Sequence, residues 1–458
     1  MCSSSLLGKL LATALLIGFL ASSCNQKDDF KGMGIKDGTV TTSSGTSASS
    51  SLSGSVVSEL ESNLSSNSSS RQTAGRSLSE RSAALSTITL TTAQISAVAA
   101  AATTAVQNAG MTDSADLIEL LPKIIEGAQG SLSDMGLSSS ETIKVIQVIV
   151  FSMTKSLSGR DAYLPSGSSA SGSTALETAL SKVAETSISQ LDEAGLSTSD
   201  IATASSALVG TLVGSLDDGG LQVSELSGAV EKITSGATGA LGNVSGITVD
   251  DLAGVVEGIT SGATGALDDI SISGYDSSKL STLVEKVTSG ATSALGNIEM
   301  TGYSSDNLTA MVEKVTAGAT SALGNIEMTG YSSDDLASMV EKVSSGATGA
   351  LGKISMTGYD STKLSSMVEK ITAGSTGALG KISMTGYDSS KLSSMVEKIT
   401  AGSTAALGNI SMTGFSSDNL SSMVEKVTAG ATGALGSISM TGFSSDNLSS
   451  MVEKVTAG

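Results

Sequence analysis

The sequence predicts an all-α chain whose tandem 26–28-residue repeats form a helical solenoid or array. Three observations carry that prediction. A glycine-aromatic pair recurs every 28 residues, at Gly274-Tyr275, Gly302-Tyr303, Gly330-Tyr331, Gly358-Tyr359, Gly386-Tyr387, Gly414-Phe415 and Gly442-Phe443. Periods in this range mark units that bury their apolar faces only against other units. Within a unit, Leu280, Leu283, Val284, Val287, Ala291, Ala294, Leu295 and Ile298 stand at offsets 0, 3, 4, 7, 11, 14, 15 and 18, a helix period. Each unit also opens on cap residues, such as Asp276 or Ser304, placed to accept from the orphan N–H groups of a first turn.

One unit reads as follows. Asp276 is the N-cap, Tyr275 precedes it, and Leu280 lies at the spacing of a hydrophobic staple. The next unit repeats this with Ser304, Tyr303 and Leu308, and puts Asp306 in the first turn, where the helix dipole favours an acid. The helix is expected over 276–295, with Gly296 as its stop. Links as short as 296–302 predict antiparallel chain neighbours, one helix per repeat. Two features strain this picture. Gly290 lies inside the helix at a cost of about 1 kcal/mol relative to Ala. It either permits close helix packing or breaks the unit into a helical hairpin. The run Ile298-Glu299-Met300-Thr301 alternates like a strand, so an α/β solenoid with one short strand per repeat is the alternative fold.

Residues 1–23 read as an export signal: Lys9 is its charge and Leu10 to Leu20 its apolar core, far short of a bilayer span. The segment Leu20-Ala21-Ser22-Ser23-Cys24 resembles the lipobox of bacterial lipoproteins, with Ala21 where that family usually has Leu. The resemblance covers residues 1–24 only. It implies cleavage before Cys24, lipidation of the Cys24 thiol by fatty acid such as palmitate, and, with Asn25 following, sorting to the outer membrane. The other reading of the segment is a plain secretory signal cut near Ala21-Ser22-Ser23. The repeats resemble no named family.

Residues 24–83 are rich in Ser, Thr and Gly and are expected to be a flexible tether. Residues 84–219 read as diverged helical repeats, with the stripe Leu117, Leu120, Leu121, Ile124, Ala128 and Leu132 matching offsets of the regular unit. A Ser/Gly-rich loop insertion is expected at 159–173. Residues 220–458 are the regular repeats, on the 28-residue period from 246. The last unit, 442–458, copies 414–430 and carries no polar capping unit, which predicts a longer array.

Composition excludes several chemistries. With 44 acidic and 25 basic residues the net charge is −19, and no basic stripe reverses it, which disfavours nucleic acid. Histidine is absent, so no Ser-His-Asp triad, Cys-His pair or histidine zinc site can form within the chain. Cys2 and Cys24 are the only cysteines, and loss of Cys2 with the signal leaves no disulfide. One acid per helix start is too few for Ca²⁺, and the Gly-rich pieces lack the Lys-Ser/Thr ending of a phosphate loop. No catalytic, cofactor-binding or metal residue is therefore predicted; the single site residue is Cys24, for lipidation.

The most repeated charged feature is the pair Glu285-Lys286, Glu313-Lys314, Glu341-Lys342. Adjacent residues do not face each other on a helix, so the pairs are expected on a solvated face; the competing reading is a charge ladder for a repetitive partner. The aromatic row could likewise be an exposed binding surface for glycan or protein, although the staple explains its spacing. Asn63-Leu64-Ser65, Asn67-Ser68-Ser69 and Asn307-Leu308-Thr309 match the glycosylation pattern without singling it out.

The expected function is that of a lipid-anchored cell-envelope repeat protein with a structural or binding role, in adhesion or scaffolding. Its partners would be a membrane, through Cys24, and an unidentified protein or glycan, not nucleic acid. One alternative is a membrane-surface-active protein of amphipathic helices, against which the acidic polar face argues. A remote one is a hydrolase in the diverged segment 84–220.

Overall fold

In a computed structural model, the described residues are those from 121 to 458, apart from 123, 127, 130–131, 133–135, 159–170, 217–220, 222, 271–274, 300–301, 327–331, 355–359, 383–388, 411–416, 437 and 439–444. Cys24, the tether and the N-terminal part of the diverged segment lie outside them.

After helical residues within 121–129, twelve long helices follow. They are α1 Ser139–Ser158, α2 Ser171–Ser189, α3 Thr198–Gly214, α4 Val223–Gly239, α5 Val249–Gly265 and α6 Ser277–Ala294. The series continues with α7 Ser305–Ala322, α8 Ser333–Ala350, α9 Ser361–Ala378, α10 Ser389–Leu407, α11 Ser417–Leu435 and α12 Ser445–Ala457. No strand occurs among the described residues. The all-α repeat array is thus the fold, and the strand alternative fails. Ile298, from the run that alternated like a strand, has an extended backbone, but its N–H donates to the Leu295 carbonyl at 3.4 Å in the turn that ends the helix; its side chain is buried and closes the end of the core.

The eight apolar residues picked out by offset in the unit from 280 to 298 are all buried, at 4% exposure or less. Asp276 caps α6, accepting from the Lys279 N–H at 2.9 Å. Ser304 caps α7 in a reciprocal box with Asn307, a role that the spacing alone did not reveal. The stop differs from expectation. Gly296 does not turn left-handed; α6 tightens into a 3-10 turn over Leu295–Asn297 and leaves through extended Ile298. Among the described residues the left-handed glycines are instead ones that open repeats, Gly136, Gly195, Gly246 and Gly302, at φ of +64° to +86°. Only glycine adopts this conformation without strain, which accounts for the marker at Gly302, the one glycine of the 28-residue glycine-aromatic series among the described residues. The expected insertion also shortens: α2 already begins at Ser171.

The choice of neighbour departs most from expectation. Each helix packs chiefly against the helix two places along, and only lightly against its chain neighbour. Tyr303 donates its hydroxyl to the Leu295 carbonyl at 2.8 Å, so α7 starts where α6 ends, and Tyr275 does the same to Leu267 at 2.9 Å. Helices two apart run parallel and in register, since their starts touch: Ser139 donates to Asp200 at 2.8 Å, and Lys363 pairs with Asp306. Odd and even helices therefore form two layers with the apolar stripes between them. The structural unit is a pair of sequence repeats.

Candidate functional surface: the seam between alternate helices

Two edges of each regular helix build the seam within a layer. On one edge of α6, Lys286 and Gly290 face α4; on its other edge, Glu285 and Thr288 face α8. Lysine and glycine four residues apart, and glutamate and threonine three apart, each share one side of a helix. A Lys-x-x-x-Gly edge therefore meets a Glu-x-x-Thr edge, and the meeting recurs down the array with two variations: Ser344 replaces the threonine in α8, and Gly258 the lysine in α5.

Charge is matched along it. Lys286 reaches Glu231 at 2.6 Å, Lys314 reaches Glu257 at 2.7 Å and Lys342 reaches Glu285 at 2.7 Å. Lys370–Glu313, Lys398–Glu341, Lys426–Glu369 and Lys454–Glu397 continue the ladder at 2.7–2.8 Å. From Glu285-Lys286 to Glu397-Lys398 the Glu-Lys pairs are thus neither an idle solvated face nor a ladder left open to a partner: each member bridges to a different helix. Burial on its own would raise the Glu231 carboxyl, but the hydrogen bond and charge of Lys286, joined by Lys353, outweigh it and hold the pKa below its ordinary value. The Lys398 ammonium is held above its ordinary value by its hydrogen bond to Glu341 and by that charge.

Glycine lets the backbones close. A methyl on Gly346 would lie 2.5 Å from both the Glu285 carbonyl oxygen and Thr288 Oγ1, and one on Gly318 would lie 2.5 Å from Thr260 Oγ1. The seam threonine hydroxyl is satisfied by donating to its own helix, Thr288 Oγ1 lying 3.0 Å from the Glu285 carbonyl oxygen, and Thr316 also donates across the seam to the Ile371 carbonyl at 3.2 Å. Of the two explanations for Gly290, close packing therefore holds, and α6 is unbroken.

Helix starts add a second row of lateral contacts. Asp335 is lowered in pKa by a hydrogen bond from Ser277 at the start of α6, and next by its own cap, Ser332. The aromatic row is not an open surface where it is described. Tyr275 and Tyr303 pack on the core, and burial pushes the Tyr303 hydroxyl well up. Asn307, flagged by the glycosylation pattern, has its side-chain oxygen engaged with Ser304 at 2.6 Å.

One buried row has no evident partner. Thr238, Thr264, Thr292, Thr320, Thr348 and Thr376 are each fully buried with unbonded hydroxyls. Among the described residues no group of three or more potential ligands is placed to hold a metal. No described helix is long and apolar enough to cross a membrane. No protein-family model and no curated protein matches the chain.

Proposed function

We propose that this chain is a lipid-anchored cell-envelope protein whose repeat array serves as a scaffold or binding surface, and not as an enzyme. The seam carries the reading. One lateral code, met again at every second helix, generates a long regular surface from short units. Adding pairs lengthens that surface without disturbing those already in place, which suits adhesion or spacing. The resemblance of Leu20 to Cys24 to a lipobox supplies the anchor, and the Ser/Thr-rich stretch to residue 83 supplies a tether. A single acyl chain holds a protein only marginally on a bilayer, so stable anchoring on Cys24 calls for more than one.

Metabolic labelling with palmitate, followed by fractionation, tests the anchor. Label on the native chain, lost together with membrane association in Cys24→Ser, is expected. Unlabelled native chain, or a Cys24→Ser variant that stays with the membrane, would refute it. Protease shaving of intact cells with a periplasmic control then separates the two roles. Loss of the repeats favours surface binding, and their survival favours scaffolding within the envelope.

A further inference from the structure

Successive helices alternate between the two layers, yet the regular helices carry no residue that marks one layer from the other. Residues 363–376 of α9 recur unchanged as residues 391–404 of α10, and these two helices stand in opposite layers. Their surroundings match as closely as their sequences. Leu364, Met367, Val368 and Ile371 are fully buried, and so are Leu392, Met395, Val396 and Ile399. Lys370 reaches Glu313 at 2.8 Å in one layer, and Lys398 reaches Glu341 at 2.8 Å in the other. Gly374 lies over the Glu313 carbonyl, and Gly402 over that of Glu341. The step between layers is equally blind to direction. Tyr275 bonds the start of α6 to the end of α5, and Tyr303 bonds the start of α7 to the end of α6, each through a leucine carbonyl. Geometry therefore repeats every two units, whereas sequence and contacts repeat every one.

We infer that a regular helix takes its layer from its place in the count along the chain, so that the array can gain or lose a single unit, every later helix then changing layer. Each such helix carries both seam edges. The helix two places before it supplies the carboxylate and the carbonyl, and the helix two places after it supplies lysine and glycine. Contacts of this range make a unit indifferent to all but its near neighbours. Helix starts permit the change as well. Lys363 of α9 pairs with Asp306, and Lys391 of α10 with Asp334. With the α9 unit removed, Lys391 inherits Asp306, and Asp334 meets the neutral Asn419 of α11. The inference goes beyond a scaffold of fixed length. The reach of the array becomes adjustable in single steps of about 4–5 Å, for helices about 8–10 Å apart within a layer. It rests on the seam and stands whether or not Cys24 carries lipid.

The test removes residues 358–385 from the full chain. The new junction joins Thr357 to Gly386-Tyr387, as the native one joins it to Gly358-Tyr359. Helix α10 then follows α8, and Lys398 falls on Glu313 instead of Glu341. Circular dichroism is expected to show unchanged helix content per residue, and hydrogen exchange unchanged protection of α10. Glu313→Lys identifies the new neighbour. In the shortened chain it speeds exchange of α10 by up to about fivefold, from one half-exposed pair turned repulsive, and adding Lys398→Glu restores protection. In the native chain the restoring change is Lys370→Glu, since Lys370 is the partner of Glu313 there. A chain lacking residues 358–413, two units, leaves every later helix in its own layer and is the control. Protection kept in the control but lost on removal of one unit would overturn the inference, because layer would then be written into each helix. Protection lost in both chains would overturn it too, as would a shortened chain in which Lys398→Glu fails to restore α10.

Discussion

Replacing Gly346 by alanine opposes two physical effects whose sizes differ enough to decide the sign. In the interior of an isolated helix, glycine to alanine is favourable by about 1 kcal/mol. In α8 the new methyl would lie 2.5 Å from the Glu285 carbonyl oxygen and 2.5 Å from Thr288 Oγ1. Ordinary contact is near 3.5 Å, so α8 and α6 would have to part by roughly 1 Å at that point. One of the two obstacles is backbone and cannot rotate aside. A gap of that size forfeits a quarter to a half of each dispersion contact along the seam, and overpacking of this kind costs about 1–3 kcal/mol. With a rigid carbonyl in the way the upper part of that range applies, leaving a net loss of about 2 kcal/mol after the helix-propensity gain.

The same helix contains its own control. A methyl on Gly349 meets nothing within 4 Å, so Gly349→Ala gains helix propensity alone, about 1 kcal/mol. Two identical substitutions three residues apart should therefore differ by about 3 kcal/mol, with opposite signs. Arrays of this kind unzip unit by unit, so a single melting curve is a poor measure. Hydrogen exchange of α6 and α8 amides reads the local opening energy directly. Faster exchange in both helices for Gly346→Ala, beside slower exchange in α8 for Gly349→Ala, is expected. If both variants protect α8 alike, the backbones do not approach at Gly346 and the seam is misassigned.

Thr292→Val should stabilise by about 1 kcal/mol, because it removes a fully buried hydroxyl without a partner; Thr288→Val, whose hydroxyl is bonded, should not, and parallel denaturation of the two variants checks the contrast. Tyr303→Phe should cost about 1 kcal/mol through the lost 2.8 Å bond to Leu295, seen as faster exchange at the α6–α7 turn. Lys314→Glu should loosen α5 against α7 by up to about 1 kcal/mol, for a half-exposed pair, and adding Glu257→Lys should restore it; unequal restoration in a double-mutant cycle would separate these two residues. Acid should open the α4–α6 seam. The Glu231 pKa is lower folded than its ordinary 4.5, so its contribution is complete above that value and is lost as pH falls through the folded pKa, which exchange measured from pH 6 to 3 would follow.

The interior of each helix was legible in the sequence because one rule governs it. Offsets of three and four select the residues on one side, and the stripe from Leu280 to Ile298 is buried throughout. Asp276 was legible for the same reason: a cap is local chemistry. The partner helix was not. Near-identical units present the same stripe, so periodicity alone cannot distinguish the next helix from the one after it. The signal was in the adjacent Glu-Lys pairs. Two neighbours on a helix point about 100° apart, which rules out pairing with each other and also sends them toward different helices. Only the first consequence is used when the pair is read as a solvated face.

A chain whose edges must match at a distance of two units carries a constraint that its diverged part still displays. In α3 the carbonyl of Ser206 lies beneath Gly262 of α5, as that of Glu231 lies beneath Gly290 of α6. Ser206 thus holds the place of the ladder glutamate. In α5 the place of the ladder lysine is held by Gly258, where an added methyl would come within 2.8 Å of the Ala202 carbonyl oxygen, so no long side chain fits there. Both members of one ladder rung are missing, from helices 52 residues apart measured from Ser206 to Gly258, while the glycine contact beneath them is kept. Close backbone approach is the part of the seam that persists without the charges. It follows that neutralising a rung should be tolerated far better than filling its glycine, and that the lysine ladder sharpens register on a contact that glycine makes possible.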